Sequence, residues 1–542
     1  MTEPAPATEL ALLIDIGSAW AKAGVIGRVR GRWRLVAHVA QPTAWGPSEL
    51  RRSLVDQLAE TGDARLGGRW DELIGEANRI ECHTPRRQGR LAVVAVSREL
   101  SGTAARRAAE AAGWEVAPIV TLDDGRSLAD RLATLQAADV DAWLAVGGFD
   151  DGASPRALEA AALVACARLP GSGPVVWAGS SQLSAEVLSL FEGGAASTVA
   201  NARPDARREE AGPLREHLRS LLRGIAGGED EAHLAPVALP RAIGALAAAG
   251  GLSVLGVDVG ARTAMRVLAG SDGTISARVS SGGGLSGVAG LPGAAGRVAR
   301  LAGDAGDEAS VSDLLQTLRA HPATLPHLPD ELAAMQAAAR VQLGALVEET
   351  PVGPVDLVIG CGRTIAAAPR PAQAARMLLD GVRPVGISQL AIDTAALLGP
   401  LGSLPDEELR EGLALLSDDL LVPLGTAVVT RGGEPGQVAM RVTVHRPGWP
   451  TPAPIVLRVG QLQVVPLGRG QEAELTVEPG PGVNLGVGRR TSRIQAMATG
   501  GAVGLILDAR GVPIALPRRG DDRRAVLAGW ADALTREQER VA

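Results

Sequence analysis

The residues best suited to chemistry lie in Leu12–Val25, read LLIDIGSAWAKAGV, where an apolar run opens onto Asp15, Gly17, Ser18 and Lys22. Leu12, Leu13 and Ile14 predict a buried strand, Gly17 permits a tight turn, and Ala21–Ile26 resumes as a second strand. A strand, Asp-x-Gly-Ser, strand hairpin can present backbone N–H groups to a phosphate while the carboxylate holds a hydrated Mg²⁺. Asp-x-Gly turns are also common in ordinary hairpins, so the motif gains weight from its echo. Leu255–Leu268, read LGVDVGARTAMRVL, again sets Asp258 and Gly260 between apolar runs, with Thr263 after the turn. A further strand is predicted after each copy, at 32–39 and 274–279. A third glycine turn, Gly360-Cys361-Gly362-Arg363, follows the apolar run VDLVIG. Repetition of a supersecondary unit points to two similar lobes.

Lys22 is the one lysine among 54 Lys+Arg residues, and the chain has no Tyr and two Phe. A sequence that elsewhere uses arginine for positive charge keeps an ammonium here. The ammonium is a compact point charge, unlike the wide guanidinium fork. The reading is a phosphate-pocket lysine; the plain alternative is a lysine snorkelling from a strand end.

The elements that must position these residues follow from the rest of the chain. With 542 residues, 46% of them hydrophobic, two to four domains are expected. A net charge of −6 offers no basic field for nucleic acid. The short arginine clusters Arg86–Arg87, Arg518–Arg519 and Arg523–Arg524 do not change that. Cys82, Cys166 and Cys361 are isolated, which predicts neither a zinc site nor a disulfide framework. The opening MTEPAPATEL has no signal-peptide pattern, and the apolar stretch 234–259 is broken by Pro236, Pro240 and Arg241. A cytoplasmic protein with no membrane partner is expected.

Residues 91–190 alternate strand and helix, which calls for a parallel sheet with ligands beyond its carboxyl edge. The loop Gly147–Gly152 lies at such an edge, as a site candidate or as a plain turn into a helix capped near Ser154. Residues 201–250 read as a helical connection, and SSGGGLSG at 280–287 as a flexible loop. His321 and His327 are expected to pack or cap. From 421 onward short alternating runs predict a C-terminal β-rich domain, with 500–517 as a closing hairpin and Asp521–Leu534 as a helix. The expected domains are a first lobe with an α/β insertion (10–200), the connection (201–250), a second lobe (251–420) and the β-rich end (421–542).

The order of the three glycine turns matches the two phosphate loops and the adenosine loop of the actin, sugar-kinase and heat-shock-chaperone ATPases. Beyond that, the chain resembles the glutamate mutase L (MutL) family. The resemblance is carried by LLIDIGSAWAK, AVGGFDDG, NARPDARREEAGPLR, VLGVDVGARTA, LRAHPATLPHLPDEL and the long IGCGRTIAAAPRPAQAARMLLDGVRPVGISQLAIDTAALLGPLG, within residues 10–400. It implies an α/β fold of two ribonuclease-H-like lobes facing an interdomain cleft, ATP and Mg²⁺ as cofactors, and a role as chaperone or reactivation factor for a cobalamin-dependent mutase. It also implies Asp15 and Asp258 on hydrated Mg²⁺, both being catalytic candidates. Gly17, Ser18 and Gly260 N–H groups would meet phosphate, and Lys22 and Thr263 would add contacts. Gly360, Gly362 and Arg363 would form the adenosine loop.

The chain departs from the family pattern at Ala21 (family Thr), at Ala264 and Met265 (family Thr-Asp) and at Arg363 (family Gly). Each lost hydrogen bond to a charged group costs about 1.5–3 kcal/mol, so weakened nucleotide binding and slow or absent hydrolysis are expected. A nucleotide-dead scaffold of the same fold is the alternative, and a small-molecule kinase or hydantoinase-like enzyme a third reading.

Overall fold

A computed structural model describes residues 10–535 apart from 30–31, 61–69, 86–87, 153–154, 170, 192–194, 226–230, 304–306, 349–352, 447, 449–451 and 487–492. Arg86–Arg87, most of the opening MTEPAPATEL and the cap expected near Ser154 lie outside the described residues. The chain divides into two compact units, one of residues 1–81, 242–274 and 282–542, the other of 82–241 and 275–281.

In the first unit, β1 (Leu10–Ile16) and β2 (Trp20–Val29) form an antiparallel hairpin, and β3 (Arg32–Pro42) pairs with β2. β4 (Asn78–His83) lies on the other side of β1. The strands form where aliphatic residues dominate: Leu12, Leu13, Ala23 and Val25 are buried against Leu50, Leu54 and Leu58 of the helix Pro47–Glu60. Gly24 admits close packing, since a Cβ there would lie 2.5 Å from Leu397 Cδ1 and 2.8 Å from Leu35 Cδ1. Arg34 and the Leu35 N–H both bind the Asp419 carboxylate. These contacts hold the first hairpin to the chain around 397–419, which is why both acidic hairpins fall in one unit.

The second unit carries the predicted alternation as a parallel sheet of β5 (Arg90–Ala95), β6 (Glu115–Thr121), β7 (Ala142–Val146), β8 (Val175–Trp177) and β9 (Ala196–Thr198), in the order β6-β5-β7-β8-β9. Helices Thr103–Ala111 and Ala211–Ile225 cover one face, and Pro155–Ala167 the other. Every residue of β5 after Arg90 and all of β7 are buried, as strands covered on both faces must be.

Back in the first unit, β10 (Val254–Val259) and β11 (Thr263–Ala269) form the second antiparallel hairpin, while β12 (Ile275–Ser281) is counted with the second unit. β13 (Leu357–Cys361) pairs parallel with β10, and β14 (Gly386–Asp393) parallel with β13. Each acidic hairpin thus has a later strand beside its first strand. The fold class is α/β, as expected. β15 (Leu421–Val429) continues this sheet antiparallel to β14, and strands Leu505–Asp508 and Leu462–Val465 extend it. Four more strands between 438 and 499 form a sheet of their own and Arg431–Gly432 pairs with Val483–Asn484 in a small one, so the C-terminal region is β-rich but shared among three sheets.

Two local expectations are corrected. Residues 500–517 are not a hairpin: Leu505–Asp508 pairs with β15 and with 462–465, and among the described residues no strand follows it. The loop at 280–287 is pinned, because Gly284, Leu285 and Ser286 N–H donate to Arg262, Gly260 and Ala261 carbonyls at 3.1, 3.0 and 2.9 Å.

Candidate functional site

The two hairpin turns share one geometry. Gly17 N–H donates to Trp20 O at 3.0 Å, and Gly260 N–H to Thr263 O at 3.0 Å. A Cβ on Gly17 would stand 2.6 Å from Trp20 O, so the residue is glycine because the turn closes on itself. Thr43 pegs the first turn from behind, its hydroxyl donating to Gly17 O at 2.9 Å. Both glycine N–H groups are therefore spent inside the turns. The expectation that they face phosphate is corrected; Ser18, exposed at the tip of the first turn, keeps an outward position.

Just inside each turn stands an aspartate. Asp15 faces Lys22 across the β1–β2 register, with Nζ 2.5 Å from the carboxylate and side chains 16% and 9% exposed. Asp258 faces Met265 at the same register position of the second hairpin, so one ammonium serves both copies. Cys361 is the β13 neighbour of Asp258. Gly362 follows with φ +81°, and a Cβ on it would lie 2.9 Å from Asp258 Oδ2. Gly362 thus brings the third turn against the second acidic hairpin. Gly360 does something else: its open side meets Ile365, Leu378 and Ile392, so the missing side chain there serves core packing.

A fourth element completes the cluster. β14 ends in Asp393, 1% exposed, whose carboxylate accepts the Leu397 and Leu398 N–H groups at 3.1 and 2.7 Å. Sequence reading passed over it, although LAID at 390–393 repeats the apolar-to-Asp ending of LLID and LGVD. Burial pushes the Asp258 carboxyl up to about 7; Lys22 opposes the shift, and Asp15 and Asp393 add to it. Burial likewise pushes Asp393 up to about 6 against its two N–H bonds and Lys22. The Cys361 thiol is pushed up by burial and by the charges of Asp393 and Asp258. Asp15, Asp258 and Asp393 thus sit in each other's field around Lys22, which leaves the group short of positive charge.

Beside the cluster, Trp20 starts β2 and carries the Arg363 guanidinium over its ring at 5.0 Å. Both line a pocket of about 470 Å³, walled further by Leu285, Leu325, His327 and Met335. Arg363 Nε is buried there without a hydrogen-bond partner among the described residues, and burial lowers the Arg363 pKa. Thr263 and Thr364 flank the second and third turns. Among the described residues no group of three or more His, Cys, Asp or Glu is arranged to hold a metal ion. Asp15 and Asp258 suit a cation reached through its water shell, the form of binding that hydrated Mg²⁺ favours. No helix of the described residues is long and apolar enough to cross a membrane.

Among solved structures, the chain is similar to an activator of the 2-hydroxyisocaproyl-CoA dehydratase from Clostridium difficile with bound ADPNP (10% identity, TM-score 0.27, 75% of this chain and 97% of that one). It is also similar to component A of the (R)-2-hydroxyglutaryl-CoA dehydratase of Acidaminococcus fermentans (9%, TM-score 0.27, 74% and 99%). A reductive activator for a corrinoid, iron-sulfur protein is similar too (10%, TM-score 0.25, 76% and 63%). No curated relative matches the chain. A family model described as MutL protein matches residues 11–420, three quarters of the chain, and takes in both acidic hairpins, the third glycine turn and Asp393; the chain belongs to the MutL family.

Proposed function

We propose that this protein binds a Mg²⁺–nucleotide at the paired hairpins and couples that binding to a cobalamin-dependent mutase as its chaperone or reactivation factor. The observation that carries the nucleotide reading is the charge deficit: three carboxylates, two of them raised toward neutrality, gathered around Lys22 beneath two turns of identical geometry. Bound Mg²⁺ supplies the missing positive charge and polarises phosphate oxygens. Asp15 and Asp258 would hold it through water. Lys22 fixes the Asp15 carboxylate and offers a second cation to phosphate. Asp15 and Asp258 are the catalytic candidates for hydrolysis, and bound Mg²⁺ would draw the raised Asp258 carboxyl back toward its charged form. The pocket beside Trp20 and Arg363 would take the base and sugar.

The partner rests on family membership, and closure on nucleotide would shift the mutase only by its difference in affinity for the two forms. A nucleotide-free docking role is the second reading. Met265 opposite Asp258 and the Arg363–Trp20 stack at the pocket favour it.

Calorimetry of the full chain with Mg-ATP separates the two. Binding that falls more than about tenfold in Lys22→Ala supports the proposal. No heat at millimolar nucleotide leaves the scaffold. Recovery of an inactivated cobalamin mutase by the chain plus Mg-ATP, and not by Lys22→Ala, tests the partner.

A further inference from the structure

The charge beside the hairpins runs the opposite way to the charge within them. The pocket of about 470 Å³ next to Trp20 is lined by Arg363 and, among the described residues, by no aspartate or glutamate. Arg363 is half-buried and stacked on Trp20 at 5.0 Å. Its Nε is sealed from solvent, but both Nη atoms keep accessible surface, and neither makes a hydrogen bond or ion pair among the described residues. Burial lowers its pKa, and no acidic group opposes the shift. A guanidinium that gives up part of its hydration without a counter-ion is costly unless a ligand brings the negative charge.

Another part of the lining is the stretch HPATLPHLP, which the hairpin chemistry does not use. It is braced from within. The Thr324 hydroxyl donates to His321 O at 2.7 Å, and the Glu331 carboxylate accepts His327 and Leu328 N–H at 2.7 and 3.3 Å. Three prolines fix φ along the same loop, so its shape is set before any ligand arrives and the ordering cost of binding is low. Leu325 and Leu328 nevertheless stay 47% and 60% exposed on this pocket. The lining therefore offers apolar cover for a ring system together with one uncompensated cation.

On the nucleotide reading, on which this inference rests, the 5′-phosphates meet Lys22 and Mg²⁺ at the hairpins while base and sugar enter the pocket. An unmodified ribose brings only hydroxyls there, which leave Arg363 without a counter-charge. A phosphate on that ribose supplies it, and the planar fork of arginine binds phosphate through two parallel N–H bonds. An arginine near the ribose is also how dinucleotide sites on another fold accept a 2′-phosphate. Thr364, next in the chain, brings a hydroxyl to the same lining. We infer that the pocket is specific for a nucleotide phosphorylated on its ribose, at the 2′ or the 3′ oxygen, with Arg363 holding that phosphate.

Titration calorimetry of the full chain with adenosine 5′-monophosphate, adenosine 2′,5′-bisphosphate and adenosine 3′,5′-bisphosphate tests this, with Mg-ATP in the same series. At least one bisphosphate is expected to bind about tenfold tighter than the monophosphate or better, and to be displaced by Mg-ATP. The tighter isomer names the source, a 2′-phosphate being that of NADP and a 3′-phosphate that of coenzyme A. Arg363→Met keeps an apolar chain on Trp20 and should erase the preference without weakening the monophosphate, while Arg363→Lys should keep part of it. Bisphosphates no tighter than the monophosphate, in a chain that binds Mg-ATP, overturn the inference and leave the nucleotide proposal standing. A preference that survives Arg363→Met, or a bisphosphate that Mg-ATP does not displace, overturns it equally. If no nucleotide gives heat, the nucleotide proposal falls and takes this inference with it. The wild-type comparison decides the matter even where a variant fails to fold.

Discussion

The first unit holds two buried charge clusters, and they are built in opposite ways. Around Asp380, Arg510 stands at 2.7 Å, Arg340 at 2.9 Å and Arg376 at 3.5 Å, and Arg510 reaches Asp508 at 2.7 Å as well. Trp530 covers the Arg510 guanidinium at 4.9 Å. Burial alone would raise Asp380, but the three guanidiniums hold its carboxyl well below the usual range. At the hairpins three carboxylates share Lys22, and burial raises two of them. In the first cluster three guanidiniums face two carboxylates and both carboxylates are paired, while the Arg376 Nε is buried without a hydrogen bond among the described residues. This cluster clamps residues 505–535, beyond the family match, onto the helices Pro329–Glu348 and Pro371–Gly381. The second lacks positive charge, which a folded protein tolerates where a ligand supplies it. A buried cluster whose carboxylates are all paired is structure, and one short of cations points to function.

The largest effect should come from breaking the first cluster. Arg510→Met strands the buried Asp508 carboxylate and takes one of three guanidiniums from Asp380, and should cost about 3–5 kcal/mol in denaturant unfolding, with Mg-ATP affinity unchanged. Lys22→Met should cost less, about 2 kcal/mol, since its partner keeps some contact with water. Millimolar Mg²⁺ should return part of that loss and none of the loss in Arg510→Met; equal rescue of both would erase the distinction drawn here.

The two clusters also differ in the sign of their pH dependence. Asp258 binds its proton more tightly folded than unfolded, so the folded state holds the extra proton between about pH 4 and 7. Stability from this group therefore falls as pH rises through that window. Asp258→Asn should remove the slope and gain about 1–2 kcal/mol at pH 8 in the absence of Mg²⁺, as read from melts across pH. Asp380 runs the other way: its contribution is present above the ordinary carboxylate range and is lost as pH falls below it. The smallest expected effect belongs to Arg363→Gly, which removes a stack worth about 0.5–1 kcal/mol and should tighten Mg-ATP a few fold by opening the pocket. Weaker nucleotide binding in that variant would show that Arg363 serves the ligand directly.

Local chemistry decided a good deal of this in advance. Apolar runs ending in Asp-x-Gly marked both hairpins, because strand burial and turn closure depend on neighbours a few residues apart. The alternation through 91–190 specified a parallel sheet for the same reason. What tertiary structure alone decided is which charges share a desolvated volume. Asp393 joins Asp15 and Lys22 only when β14 is laid in the sheet, and Met265 is seen to lack a charge only once the register sets it opposite Asp258. Gly17, Gly260 and Gly360 look alike as letters, yet two close turns and one packs a core. Arg510 finds Asp380 across 130 residues, a pairing that no window of sequence contains. Hydrogen bonds and periodicity act at short range along the chain, whereas desolvation and Coulomb energy depend on distance in space, which exists only after folding.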